Sequence, residues 1–388
     1  MPSCKSVYDP QEDSTMLEKH VRLHAKGKVL DIGTGSGIQA IAAAQSPRVS
    51  SVLATDVQKD VIAYCRNCIS SPKIRFLQSD LFKRVKGTFD TIIFNPPYLP
   101  QELKLKDLTI EGGKKGYETI REFISEVCNF LKPDGIILMV FSSLTNKEKV
   151  EEFIKNSLLE FTELEKEHIL FEDICVYLLR KNDFAKKLES KGIKSIKYLA
   201  KGRRGLLFTG HYKNKKAAIK TKNPKSSAVG RIQNEAKWLE RLNRRKIGPK
   251  LLFIGDGYFA YEYLEGDFIL DYFKKSSSSQ IKKTIKNVFS QLHNLDKLRI
   301  DKEEMHHPLK HVIISKGKPF LIDFERAHYA GNPKNVTQFC QFLISGHANV
   351  LLKAKGIIID RNRMMRLAKL YKNNQNIRSF KEILELVE

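Results

Sequence analysis

Six cysteines in 388 residues are too few and too scattered for a disulfide framework, and they fit reduced thiols. Cys65 and Cys68 have metal-knuckle spacing, but no second pair completes a zinc site, so they read as two residues on one helix. No apolar stretch approaches the roughly 20 residues that span a bilayer, and the N-terminus lacks a charged start followed by a hydrophobic signal core. These absences predict no membrane partner and a cytoplasmic location. The first half also lacks positive charge. Residues 1–180 hold 24 Lys and Arg against 25 Asp and Glu, which argues against a phosphate-binding face there. The remaining residues hold 44 against 19, so the chain's whole excess of +24 lies in its second half. That asymmetry predicts a basic second domain with a polyanionic neighbour, either RNA, as in a ribosome, or nucleotide phosphates.

What the first half does have is Asn95-Pro96-Pro97-Tyr98, directly after the apolar run Thr91–Phe94. An amide or aromatic NH2 is a poor nucleophile, so a catalyst must fix its hydrogens and aim its lone pair. The Asn95 side-chain carbonyl and the Pro96 backbone region supply acceptors for that purpose. Pro96 and Pro97 stiffen them, and Tyr98 offers a stacking face. Upstream, Val29–Ile32 reads as a buried strand running into Gly33-Thr34-Gly35-Ser36-Gly37 and a helix, the switch point of a doubly wound sheet. The run is G-x-G-x-G, not the dinucleotide G-x-G-x-x-G, which favours S-adenosylmethionine over NAD. Three acids fall at successive strand ends. Asp31 is expected toward the methionine end of that cofactor, Asp56 on its ribose and Asp80 near its adenine, with Asn95 bordering the same pocket. Strands are expected near 28–32, 51–55, 74–78, 89–94 and 135–141, with helices between, and then two successive strands, Phe161–His168 and Asp173–Leu179. The Glu111–Gly116 segment reads as a substrate-facing loop.

Tyr8-Asp9-Pro10-Gln11-Glu12-Asp13-Ser14, the glycine turn and the Asn-Pro-Pro-Tyr loop together resemble the compact archaeal and eukaryotic release-factor glutamine N5-methyltransferases, over residues 1 to about 180. The resemblance implies a class I S-adenosylmethionine-dependent methyltransferase domain over 1–182. It also implies that Asn95, Pro96 and Tyr98 hold the glutamine amide of the Gly-Gly-Gln motif of a class I release factor, and that a small zinc-binding activator protein acts in trans. A nucleic-acid adenine N6-methyltransferase, using the basic second half to bind RNA or DNA, is the alternative. A scaffold retaining both pockets without chemistry is the third reading.

From 183 to 388 the pattern changes. Lys197–Gly205 opens a hairpin returning through Ala217–Lys220, a helix is expected over Ile232–Leu242, and Pro319–Glu325 contains Asp323-Phe324-Glu325. This half resembles small, atypical archaeal protein-kinase-like domains, an α+β two-lobed fold. The resemblance implies ATP and Mg2+ as ligands, with Lys220 on the phosphates, Glu235 orienting it, Glu262 at the adenine hinge and Asp323 on the metal. It departs from that pattern where His306 and His311 occupy the catalytic Asp and Asn positions, which leaves kinase or ATPase activity open. Ser276–Ser279 reads as a flexible loop, and Met364–Glu388 as a packing helix.

Overall fold

The computed structural model describes residues 9–97, 116–169, 171–202, 204–223, 226 and 230–387. Tyr8, Tyr98, Arg203 and the 111–115 part of the expected substrate loop lie outside them. The chain divides into two compact units, residues 1–198 with 210–214, and residues 199–209 with 215–388.

In the first unit, short apolar runs too brief for buried helices alternate with amphipathic segments, and that alternation sets the layering. The elements are α1 (Glu12–His24), β1 (Gly27–Ile32), α2 (Ile38–Gln45), β2 (Val49–Asp56), α3 (Lys59–Cys68), β3 (Ile74–Gln78) and β4 (Phe89–Phe94). They continue with α4 (Glu118–Val127), β5 (Leu131–Ser142), α5 (Lys147–Asn156), β6 (Leu159–Ile169), β7 (Glu172–Lys181) and α6 (Asp183–Ser190). The sheet runs β3-β2-β1-β4-β5-β7-β6. The first five strands are parallel, whereas β7 pairs antiparallel with both β5 and β6. A hairpin needs no crossover, so the expected β6–β7 pair closes the sheet edge without a helix. Both faces are apolar, as a parallel sheet requires. Leu30, Ile92 and Phe94 join one core with Phe123 and Tyr177, while Val29, Ile93 and Leu138 join the other with Leu17 and Ala40.

β3 and β4 match the expected spans, and β5 starts earlier. Lys132-Pro133-Asp134-Gly135 reads as a turn, yet Leu131 pairs with Phe89 across a register shift and draws the strand back to 131. Residues 183–198 also belong to the first unit, where Ala185 and Leu188 are buried.

A five-stranded sheet contains β8 (Ile193–Lys201), β9 (Gly205–Tyr212), β10 (Lys215–Lys222), β11 (Leu251–Gly255) and β12 (Tyr258–Glu262), in the order β11-β12-β10-β9-β8, with residues 193–198 and 210–212 grouped with the first unit and the rest with the second. Helix α7 (Arg231–Asn243) follows β10 and buries Ile232, Trp238, Leu239 and Leu242. The remainder is mainly helical: β13 (Asp267–Phe268), α8 (Ile269–Lys275), α9 (Ser278–Lys297), β14 (Ile300–Asp301), β15 (Val312–Ser315), β16 (Lys318–Leu321) and β17 (His328–Tyr329), then α10 (Asn335–Leu343), α11 (Gly346–Ala354), α12 (Arg361–Asn374) and α13 (Ile377–Glu385). Two expectations are corrected here. The serine run is not a loop, because Ser277 and Gln280 form a reciprocal capping box that starts α9 inside it. The C-terminal packing helix is two helices, broken where Gln375 takes a left-handed φ of 46°. Among the described residues, no helix is long and apolar enough to cross a membrane.

Candidate functional site

β1 ends at a turn in which Gly33, Gly35 and Gly37 all take positive φ, 68°, 51° and 84°. Only glycine adopts that sequence of angles without strain, and the result is a bare backbone ledge between β1 and α2. Two carboxylates lie along it. Asp31 is buried and accepts from the Thr34 hydroxyl at 2.7 Å. Burial, with a smaller contribution from the charge of Asp56, pushes its pKa up to about 7. Asp56, the last residue of β2, accepts from the Gly35 N–H at 3.2 Å and the Gln58 N–H at 3.0 Å, and burial raises its pKa. Each Asp56 oxygen keeps a lone pair for hydroxyl donors. Cys65 donates its S–H to the Gly35 carbonyl at 3.3 Å, and burial pushes the thiol up to about 12, so it braces the turn as a neutral group.

The register pairs Ile32 with Phe94, which brings Asn95 beside Gly33. The Asn95 amide NH2 donates to Asp13 Oδ2 and to Ser14 Oγ, each at 3.1 Å. With the NH2 turned to these two oxygens the amide's orientation is fixed, and no described residue donates to Oδ1. Ser14 is held in turn, because Gln39 donates its side-chain N–H to the Ser14 carbonyl at 2.8 Å. Sequence reasoning missed Asp13 and Ser14 as partners of Asn95; the Glu-Asp-Ser run at the start of α1 was the available signal. Pro96 is buried, Pro97 is half-buried, and Tyr98 lies outside the described residues. Asp80 is exposed two residues beyond β3 and pairs with Lys83 at 2.5 Å. The structure thus brings Asp31, the three glycines, Asp56 and Asn95 to one end of the parallel strands, the usual ligand crevice of an open α/β sheet.

The second unit holds a different cluster. Lys220, on β10, pairs with Glu235 of α7 at 2.6 Å and with Asp323, just after β16, at 3.1 Å. Burial opposes the ammonium charge, but Glu235 and Asp323 outweigh it and raise the Lys220 pKa. Burial likewise opposes ionisation of Asp323, which Lys220 and Lys302 outweigh, so its pKa is lowered. Glu325, two residues beyond Asp323, pairs with Arg204. Glu262 closes β12 opposite Ala217 and gives its N–H to the Lys250 carbonyl at 2.8 Å. Lys302 is a residue that sequence reasoning missed. It is buried, donates to the Asp323 carbonyl at 3.1 Å and lies 3.4 Å from His311 Nδ1. Burial lowers its pKa to about 8 and, aided by the Lys302 charge, that of His311 to about 4. His306 and His311 line a cavity of about 650 Å³ with Glu303, Glu304 and Arg326.

Residues 6–169 match the methyltransferase small domain family. The chain is 36% identical over 151 residues to a putative protein N5-glutamine methyltransferase of Methanocaldococcus jannaschii, covering 37% of this chain and 76% of that protein. It is 28% identical to the release factor glutamine methyltransferase of Deinococcus radiodurans, over 31% of this chain and 48% of that one. The chain therefore spans about half the length of the bacterial relative. Among solved structures, it aligns with a chain of the E. cuniculi Mtq2–Trm112 complex, described as methylating the eRF1 termination factor, at 22% identity and a TM-score of 0.39, over 46% of this chain and 99% of that one.

Proposed function

This chain belongs to the family of protein N5-glutamine methyltransferases, and we propose that it methylates the side-chain amide of a protein glutamine, that of the Gly-Gly-Gln motif of a class I release factor. The observation that carries this reading is the Asn95 amide beside the glycine ledge, fixed by Asp13 and Ser14, to whose Oδ1 no described residue donates. In the proposed arrangement Asn95 Oδ1 and the Pro96 carbonyl accept the two hydrogens of the substrate NH2. That holds its plane and keeps the nitrogen lone pair directed along one line. Pro97 stiffens the pair, and Tyr98, outside the described residues, is assigned to the face of the substrate amide.

S-adenosylmethionine, when bound, supplies an electrophilic methyl on sulfur. The residues at the ledge fit it. Asp56 keeps acceptor capacity for vicinal hydroxyls, the glycines admit a close backbone approach, and Asp31 and Asp56 give the site the sign suited to a cationic ligand. Asp80 is assigned to the adenine end. A small zinc-binding activator in trans is included in the proposal, and its addition should raise turnover. Transfer of labelled methyl to release factor, compared with RNA and DNA, tests the reading. Label in nucleic acid with an unlabelled release factor would establish the adenine N6-methyltransferase alternative instead.

For the second unit we propose a nucleotide site of atypical kinase-like character. The Lys220–Glu235–Asp323 cluster supports it, since a paired, buried lysine next to a carboxylate suits phosphates bridged by a divalent cation. Lys220 is assigned to the phosphates, Asp323 to Mg2+ and the backbone near Glu262 to adenine. Glu235, Asp323 and Glu325 each direct a carboxylate oxygen to within 4.8 Å of the others, which fits a cation of that kind. ATP binding abolished by Lys220→Ala or Asp323→Ala is the expected result. Binding indifferent to both would refute the site.

A further inference from the structure

The second unit carries another concavity, about 550 Å³, whose wall is drawn from α10 and α12. Lys334, Gln338, Lys369, Lys372 and His306 are among its lining residues, and no carboxylate is. Among the described residues, no ion pair engages Lys334, Lys369 or Lys372. Three uncompensated ammonium groups around one hollow repel each other, a cost that a bound anion removes.

The polar lining is arranged to donate. Gln338 Oε1 accepts from the Met305 N–H at 2.9 Å, so the amide turns its NH2 away from that bond and keeps it available. Lys334 is fixed through its backbone, because its N–H donates to Asp301 Oδ2 at 3.1 Å and its carbonyl accepts from the Thr337 hydroxyl at 3.0 Å. Its ammonium is thus presented from an anchored residue.

Two features extend the hollow beyond a single anion. Helix α12, RNRMMRLAKLYKNN, contains five basic residues and no acid. Arg363, Arg366, Lys369 and Lys372, three residues apart, wind half-way round the helix over a rise of about 14 Å, and Lys369 and Lys372 are the two that line the hollow. At the other side, the rings of His306 and His307 lie 4.6 Å apart, and both line the neighbouring 650 Å³ cavity, which shares His306, Lys334 and Gln338 with this one; that cavity is also lined by Asp301, Glu303 and Glu304, whose oxygens repel phosphates toward the lysines and can accept from base NH2 groups. Lysines on one wall with flat rings beside them match a polymer whose phosphates alternate with bases. A phosphopeptide offers isolated charges and needs no ring platform. The excess of +25 over residues 181–388 favours the polymer as well.

We propose that the pocket between α10 and α12 binds single-stranded RNA, with Lys334, Lys369 and Lys372 on successive phosphates and His306 and His307 facing a base. The proposal does not depend on methyl transfer or on the nucleotide site. On one chain with a methyltransferase, it concentrates the enzyme on RNA-containing particles.

The test is fluorescence anisotropy of a labelled single-stranded RNA dodecamer with the full chain across a salt titration. Each lost phosphate contact lowers the salt slope by about 0.7, so Lys369→Gln with Lys372→Gln should lower it by about 1.4 and weaken binding roughly 25-fold at 0.1 M salt. Both lysines are exposed, so folding and methyl transfer should be unchanged. Lys353→Gln with Lys381→Gln, on α11 and α13, removes the same charge elsewhere and should change affinity by less than about threefold. An equal loss with that control pair, an unchanged affinity with the pocket pair, or displacement of the RNA by an equimolar phosphoserine peptide would overturn the proposal.

Discussion

Asp31 and Asp56 of the first unit and Asp323 of the second are carboxylates near the ends of strands, held in opposite ways. Among the described residues, Asp31 and Asp56 are met by neutral donors, a hydroxyl and backbone N–H groups, and burial raises both pKa values. Asp323 is flanked by Lys220 and Lys302, and its pKa falls. The first arrangement offers acceptor oxygens whose ionisation burial opposes and a cation would favour, which suits a ligand carrying hydroxyls and a cationic centre. The second surrounds its carboxylate with ammonium groups, which suits phosphates that bring their own divalent cation. Similar side chains at similar topological places are thus tuned to ligands of opposite charge by what lies within a few ångströms.

The contrast can be broken from either side. Asn95→Ala, which removes the substrate acceptor from the first site, should lower turnover by about 10³-fold or more in a methyl-transfer assay, with cofactor affinity nearly intact. Lys220→Ala should weaken ATP binding by at least about 100-fold, to no measurable heat in calorimetry, and leave methyl transfer unchanged, since only the second site loses its cation. Asp13→Ala frees the Asn95 amide to rotate and should cost about 10- to 100-fold in kcat, with little change in cofactor binding and partial recovery in Asp13→Asn.

The smallest expected effect is on stability. Asp296, buried and accepting from Asn335 and Tyr371, has its pKa raised by burial to about 7. A carboxyl raised in the folded state binds its proton there first. Its stabilising contribution is therefore present below about pH 4 and is lost as pH rises through 7. Thermal melts of the chain should show stability falling by about 2–4 kcal/mol between pH 4 and 8, and Asp296→Asn should flatten that profile.

How much of this was legible in the sequence follows from the range of the forces involved. β3 and β4 could be bounded because apolar runs and turn residues are local signals, and the glycine turn could be placed because φ > 0 is a property of single residues. Asn95 was visible, but its partner Asp13 lies 82 residues away, and no local pattern encodes such a hydrogen bond. The same holds for Lys302, whose burial against Asp323 depends on a contact 21 residues distant. The serine run before α9 was misread for a local reason. Ser and Gln at Ncap and N3 start helices as readily as serine runs make loops, and the apolar periodicity of Ile281, Ile285, Val288 and Leu292 decides between them.

The central claim is that a fixed Asn95 carbonyl aims a protein amide. It is tested most directly by mass spectrometry of a class I release factor after incubation with the chain, S-adenosylmethionine and a small zinc-binding activator. The account predicts one added methyl on the glutamine of the Gly-Gly-Gln motif, lost with Asn95→Ala. A methyl on RNA or DNA adenine, with the glutamine unmodified, would contradict it.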